Sequence, residues 1–186
     1  MGKCTFKGGI HPYDGKELSK DKPIKELFPA VGEMVFPLSQ HIGAPAVPVV
    51  AKGDYVLAGQ LIAEAGGFVS ANIHSSVSGT VKAIEPRTLA TGGKCNSIII
   101  ENDGEFKEVE YTPKKLEELS KEEVLQRIKD AGVVGMGGAC FPTHVKLSPP
   151  PGCKAECVII NAVECEPYLT ADHRLMLEKA DEVLVG

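Results

Sequence analysis

Residues 132–146 read Gly-Val-Val-Gly-Met-Gly-Gly-Ala-Cys-Phe-Pro-Thr-His-Val-Lys, and residues 157–167 read Cys-Val-Ile-Ile-Asn-Ala-Val-Glu-Cys-Glu-Pro, with a proline-rich link between them. The first stretch is a glycine-rich loop behind a helix pattern, with Phe141 and Lys146 reading as exposed. The second is a short apolar run that breaks at Asn161 and leads to Glu164 and Glu166. Glycines let a loop lie flat against a ligand, because no Cβ holds the backbone away. A polar residue at the carboxyl end of a strand sits where open α/β sheets bind ligands. Together the two stretches predict a nucleotide or flavin site.

Neither stretch makes a standard fingerprint. Gly135–Cys140 comes near G-x-G-x-x-G, but it follows a helix pattern rather than a strand, and Cys140 holds the third glycine's place. Cys157–Ile160 has the continuous apolar character of a strand buried on both faces of a parallel sheet. Glu164 and Glu166 then admit two readings. They belong to a solvated loop, or they face ribose hydroxyls or a ring nitrogen beside Asn161, since a charge buried without a partner is costly.

Upstream, Ser120-Lys-Glu-Glu123 matches a capping box, in which each side chain satisfies an orphan backbone N–H. Val124, Leu125, Ile128 and Ala131 follow at helical spacing, and Gly132 stands at the usual C′ position. This predicts a helix whose apolar face is core. Residues 104–115 are a charged connector.

From Val31 to about Asp103, short β runs alternate with Gly, Pro and Asp: 47–51, 55–57, 61–63, 73–77, 80–84 and 97–101. That rhythm predicts a small sandwich or barrel. The order V-x-x-G-D-x-V-x-x-G-Q-x-I-x-E, then I-x-S-S-V-S-G-T-V, resembles the barrel-sandwich hybrid of biotinyl and lipoyl carrier domains over Val47–Ile84. A carrier needs a lysine at its hairpin tip, and the hairpin Ala65–Asn72 has none, so carrier function is not expected. His41 and His74, among apolar or serine neighbours, read as structural. Residues 1–30 are polar and irregular, an arm laid over the domain that follows; His11 alone is a weak metal signal.

With 186 residues, 43% hydrophobic and 24% charged, the chain can bury a proper core, and disorder is not expected. A net charge of -5 argues against nucleic acid as the main partner. No apolar run reaches the roughly 18 residues of a membrane span, and no apolar signal region follows Lys3, so export is not expected. Cys4, Cys95, Cys140, Cys153, Cys157 and Cys165 show no regular disulfide spacing and read as reduced thiols.

The loop G-V-V-G-M-G-G-A-C-F-P-T-H-V-K-L and the run N-A-V-E-C-E-P-Y-L-T-A-D-H-R-L-M closely resemble the RnfC family, named for its place in the Rnf electron transport complex. So do F-K-G-G-I-H-P, P-L-S-Q-H-I-G-A-P and G-F-V-S-A-N-I-H-S-S-V-S-G-T-V, so the resemblance covers nearly the whole chain. The last third is also similar to the flavin-binding subunit of respiratory complex I, whose loop reads G-R-G-G-A-G-F-P-T-G-x-K. The resemblance implies a mixed fold: a small all-β barrel-sandwich hybrid over 31–104, behind the arm of 1–30, then the truncated beginning of an α/β flavin/NAD-binding domain over 105–186. It implies FMN and NAD(H) as cofactors, with Gly137, Gly138, Phe141 and Lys146 on the nucleotide loop, Asn161 against the flavin, and Glu164 and Glu166 as the acidic pair.

No residue of this chain is implied as catalytic or as a metal ligand. The family's [4Fe–4S] clusters need C-x2-C-x2-C-x3-C-P runs, which do not occur here, so they are expected in the full-length protein only. This chain departs from complex I at Met136, Val163 and Cys165, where the complex I sequence has Arg, Asp and Gly.

The implied role is an NADH-dependent oxidoreductase subunit in a complex that couples ferredoxin:NAD electron transfer to ion movement. Its implied partners are the other subunits, and membrane contact would run only through them, on the cytoplasmic side. A cobalamin reductase of the same type, or a non-catalytic carrier or scaffold module, are the alternatives. After a helix at about 171–179 a new apolar run begins at Val183–Val185, where a doubly wound domain does not end, so a fragment is expected.

Overall fold

Seven short strands follow one another from Gly32 to Asn102, and almost every turn between them falls where the sequence places Gly, Pro or Asp. The computed structural model describes residues 10, 12–29 and 31–186; the F-K-G-G stretch and His11 lie outside the described residues. The strands are β1 (Gly32–Pro37), β2 (Val47–Pro48), β3 (Tyr55–Val56), β4 (Leu61–Glu64), β5 (Ile73–His74), β6 (Gly79–Thr88) and β7 (Lys94–Asn102). They form two sheets, ordered β1-β7-β6-β3 and β2-β4-β5, and every ladder within them is antiparallel.

The core lies between these sheets. Val56, Ile62, Ile98 and Ile100 are fully buried, packed with Phe36, Leu38, Val77 and Val81. Alternation along β6 sends Val81 inward and leaves Thr80 and Lys82 exposed, as the two-residue period of a strand requires. This is the expected barrel-sandwich hybrid. The run Gly32–Pro37, not singled out as a strand above, forms β1 because it pairs in register with β7 along its whole length, from Gly32↔Asn102 to Pro37↔Ser97.

The chain divides into two compact units: Phe28–Ala155, and the described residues up to Leu27 together with Glu156–Gly186. The first holds the barrel and the helices α1 (Lys121–Asp130) and α2 (Thr143–Lys146). The second holds a 3-10 turn at Lys16–Leu18 and the helices α3 (Ala171–Glu178) and α4 (Ala180–Val185), so the apolar run Val183–Val185 is helical.

Two expectations need correcting. Cys157–Ile160 reads as a buried parallel strand, yet it pairs with nothing, and Val158, Ile159 and Ile160 are 80%, 85% and 67% exposed. A strand forms only by pairing with a neighbour, and both sheets among the described residues are antiparallel sets made of barrel strands. The arm reads as laid over the domain that follows it. Pro29 O does accept from Asn102 Nδ2 of the barrel at 2.6 Å, but the hydrogen bonds of Lys16, Ser19, Lys20 and Ile24 run to Tyr168, Leu169, Arg174 and Glu178, more than a hundred residues further on.

Candidate functional site

The glycine loop begins at a helix end that the sequence specifies fully. Ser120 Oγ accepts from the Glu123 N–H at 3.2 Å, and Glu123 Oε2 accepts from the Ser120 N–H at 2.8 Å. At the other end Gly132 takes φ 67, its N–H donates to Lys129 O, and the Val133 N–H donates to Ile128 O. That double bond is a Schellman motif, which needs a residue free to adopt the left-handed conformation at C′. It turns the chain out of α1 and into the loop.

The loop is closed at its neck. Gly135 N–H donates to Phe141 O at 2.8 Å, Thr143 N–H donates to Val133 O at 2.9 Å, and Val134 bridges Pro142, which is fully buried. Residues 136–140 therefore project as one excursion, turned at its tip by Cys140 N–H to Gly137 O at 3.0 Å. The barrel holds that excursion from the side, through Ile42 N–H to Ala139 O at 3.0 Å.

Within this excursion the sequence-derived residues have distinct placements. A Cβ built on Gly137 or Gly138 would meet nothing within 4 Å, so the space above both is open to a ligand. Lys146 reaches back from α2, and its Nζ lies 2.5 Å from where a Gly135 Cβ would be. The ammonium thus stands against Gly135, at the neck of the loop. Phe141 is half-buried rather than exposed, with its carbonyl taken by the neck. The structure brings Gly137, Gly138, Phe141 and Lys146 together in the barrel's unit.

Asn161, Glu164 and Glu166 belong to the other unit. Asn161 is exposed, and its Oδ1 accepts from the Val163 N–H at 3.1 Å, a local turn that leaves the amide's two N–H donors for a partner. Glu164 Oε1 accepts from the His173 N–H at 3.0 Å in the first turn of α3. Thr170, at the N-cap, makes no side-chain cap bond, so Glu164 caps the helix from nine residues upstream. Glu166 is exposed, and with Glu164, Cys165 and Pro167 it lines a cavity of 370 Å³ whose other wall is the arm. The burial argument for the acids therefore holds in part for Glu164 and not for Glu166.

Sequence reasoning missed Gly135, the Ile42–Ala139 bond, and the arm residues beside Glu164. Gly135 follows the same glycine pattern as its neighbours, and only the position of Lys146 shows why it is there. The thiols of Cys95, Cys140, Cys153, Cys157 and Cys165 are all free. Among the described residues no helix is long and apolar enough to cross a membrane.

An antiparallel barrel-sandwich hybrid mounts the neck-closed glycine loop, and the N-A-V-E-C-E-P turn follows it in the sequence. Residues 4–105 match the RnfC barrel sandwich hybrid domain, and residues 128–186 match the Nuo51 FMN-binding domain. The chain belongs to the RnfC family.

Over 184 residues it is 52% identical to a subunit of the proton-translocating ferredoxin:NAD(+) oxidoreductase complex of Clostridium ljungdahlii, a match covering 98% of this chain and 40% of that relative. It is 48% identical over 186 residues to the equivalent subunit of the Na(+)-translocating ferredoxin:NAD(+) oxidoreductase complex of Acetobacterium woodii, covering 98% and 41%. It is 44% identical over 185 residues to that of the ion-translocating oxidoreductase complex of Rhodobacter capsulatus, covering 98% and 36%. The chain thus spans about two fifths of the length of these relatives.

Proposed function

We propose that this chain is the N-terminal part of the NADH- and FMN-binding subunit of an electron transport complex that couples ferredoxin:NAD electron transfer to ion translocation. The observation that carries the reading is the open space above Gly137 and Gly138, in a loop whose neck holds the Lys146 ammonium against Gly135, within the stretch that matches an FMN-binding domain. The donor set suits a flavin nucleotide. In the barrel's unit a glycine surface admits a flat ring and Lys146 compensates an anionic group; in the other unit, taken by itself, the Asn161 amide offers two N–H donors to a heteroatom.

The bound flavin would supply hydride and single-electron chemistry, and the protein's part is to position it and tune its surroundings. Phe141 offers an aromatic face near the loop for NAD(H), and Glu166, exposed beside the 370 Å³ cavity, can accept hydrogen bonds from sugar hydroxyls. Glu164 serves the same half more indirectly, because one of its oxygens caps α3.

In this reading residues 1–30 are the arm, 31–104 the barrel and 105–186 the first part of the flavin domain. The full-length protein would carry [4Fe–4S] clusters beyond this chain, pass electrons to partner subunits, and sit peripherally on the cytoplasmic side of the membrane, touching it through those partners.

The test is the visible spectrum of the full-length protein reconstituted with FMN. Stoichiometric flavin absorbance that bleaches on adding NADH is expected. A preparation that stays colourless and reduces no dye with NADH sinks the reading. Lys146→Ala should weaken FMN binding about tenfold, the scale of one charge-assisted hydrogen bond, with the melting temperature unchanged because Lys146 is exposed.

A further inference from the structure

The arm and the N-A-V-E-C-E-P turn are joined by a set of bonds that converge on one strained residue. Tyr168 has φ 70, a conformation that bulky residues avoid unless their surroundings hold them in it. The arm holds it through both its backbone and its ring. Tyr168 N–H donates to Asp14 O at 2.6 Å, and Ser19 Oγ donates to Tyr168 O at 3.1 Å. The Tyr168 ring lies against Gly15, where a Cβ would collide with it, so the arm needs glycine at that point. Tyr13 packs edge-on to the same ring, with centroids 6.3 Å apart.

The next residues are held the same way. Lys16 Nζ donates to Leu169 O at 2.7 Å, and Thr170 Oγ1, on a buried residue, donates to Ser19 Oγ at 2.9 Å. Arg174 Nη1 donates to Lys20 O at 3.1 Å, and the Ile24 N–H donates to the Glu178 carboxylate at 3.1 Å. The carbonyls just before α3 are thus fixed by arm side chains, and α3 itself is strapped along its length. Glu164 follows α3, because its carboxylate is bonded to the His173 N–H. Lys16 also lines, with Glu164, both the 370 Å³ cavity and a second one of 310 Å³ on the side of Thr170 and Met176.

We propose that the N-terminal arm is a working part of the cofactor half-site, with Lys16 as the residue that positions the turn bearing Glu164 and Glu166. This rests on the flavin reading above and extends it to a segment that the reading leaves unused. The chain of action is short. Lys16 holds Leu169, Leu169 fixes the start of α3, and α3 holds Glu164 through His173. A half-buried ammonium bonded to a backbone carbonyl is a charge-assisted contact, stronger than a neutral one.

The test uses the full-length protein with Lys16→Met or Lys16→Arg, and two independent readouts. Amide hydrogen exchange reports the turn, and FMN dissociation, followed by flavin fluorescence, reports the site. Lys16→Met should speed exchange from Tyr168 to Arg174, leave exchange in β6 and β7 unchanged, and raise the FMN Kd about tenfold. Lys16→Arg, which keeps the charge and a donor, should recover most of both.

Unchanged exchange in Lys16→Met overturns the positioning role. Faster exchange with an unchanged FMN Kd overturns the arm's place in the cofactor site and leaves it a structural strap. An unsubstituted full-length protein that holds no flavin refutes the functional reading itself, and exchange alone then decides whether the arm positions the turn.

Discussion

His41 and His74 sit 33 positions apart in similar sequence surroundings, and the fold treats them differently. His41 is buried, with Nδ1 3.1 Å from Ile42 O and Nε2 accepting the Ala71 N–H at 3.1 Å. One nitrogen donates and the other accepts, so a single neutral tautomer satisfies the ring and two backbone groups at once. His74 is half-buried on β5, and burial pulls its pKa below 6.5. Since the unfolded chain takes up the proton more readily, this residue favours folding fully above about pH 6.5 and loses that contribution as pH falls toward its folded pKa. Urea unfolding of the chain should therefore show stability dropping as pH falls below about 6.5. His74→Gln should flatten the slope; an unchanged slope assigns it to other groups. His41 was legible as structural from its neighbours, and its two ring bonds are those of a structural residue. Glu164 was not legible as a cap, because local sequence carries no signal for a bond to a residue nine places on.

Elements were legible where their signals are local. The Ser120–Glu123 box and the Gly132 end of α1 read directly from residue types, since each cap bond lies within one turn of the helix. The Ser120 N–H, bonded to the Glu123 carboxylate, holds its pKa below the usual carboxylate range. That support is present above about pH 4.5 and is lost as pH falls through the lowered value. Ser120→Ala should cost about 1 kcal/mol at neutral pH, read from the urea midpoint, and most of that deficit should persist in acid, because the bond it removes runs from the Glu123 N–H to Ser120 Oγ while the Ser120 N–H keeps the Glu123 carboxylate. Strands were legible only in part. The alternation of β6 and the apolar run of β7 carry their own signal, and each finds a partner in the barrel. Cys157–Ile160 carries a stronger apolar signal than β3, yet forms no ladder. Hydrophobicity records a demand for burial; it does not say which residues will meet it.

At the scale of the molecule, the two stretches proposed to hold the cofactor are each built within their own unit, in different ways. The glycine loop is mounted on the barrel, whose hairpin is itself pinned. Ser70 Oγ donates to Ala44 O at 2.8 Å, Ala44 N–H donates to Val69 O at 3.0 Å, and Asn72 Nδ2 donates to Asp130 O at 3.1 Å. A carrier hairpin must present a free lysine. This one has none, and it is tied to α1 and to the 44–45 turn, so the barrel fold serves as a mount. The acidic half is strapped by the arm, but the apolar run that leads to it is uncovered.

Val158, Ile159, Ile160 and Val163 together form an exposed apolar stretch of the kind that marks an interaction site. The relatives are more than twice as long as this chain, and we propose that their further length covers the run as a central strand. The two settings then predict opposite responses to one substitution. In the 186-residue chain Ile159→Ala should shift stability by less than about 0.5 kcal/mol, as for other exposed sites. In the full-length protein it should cost about 2–5 kcal/mol, the range for a core isoleucine truncated to alanine. Urea unfolding of both pairs reads the difference, and equal small effects in the two would mean that Ile159 stays in water in the longer chain as well.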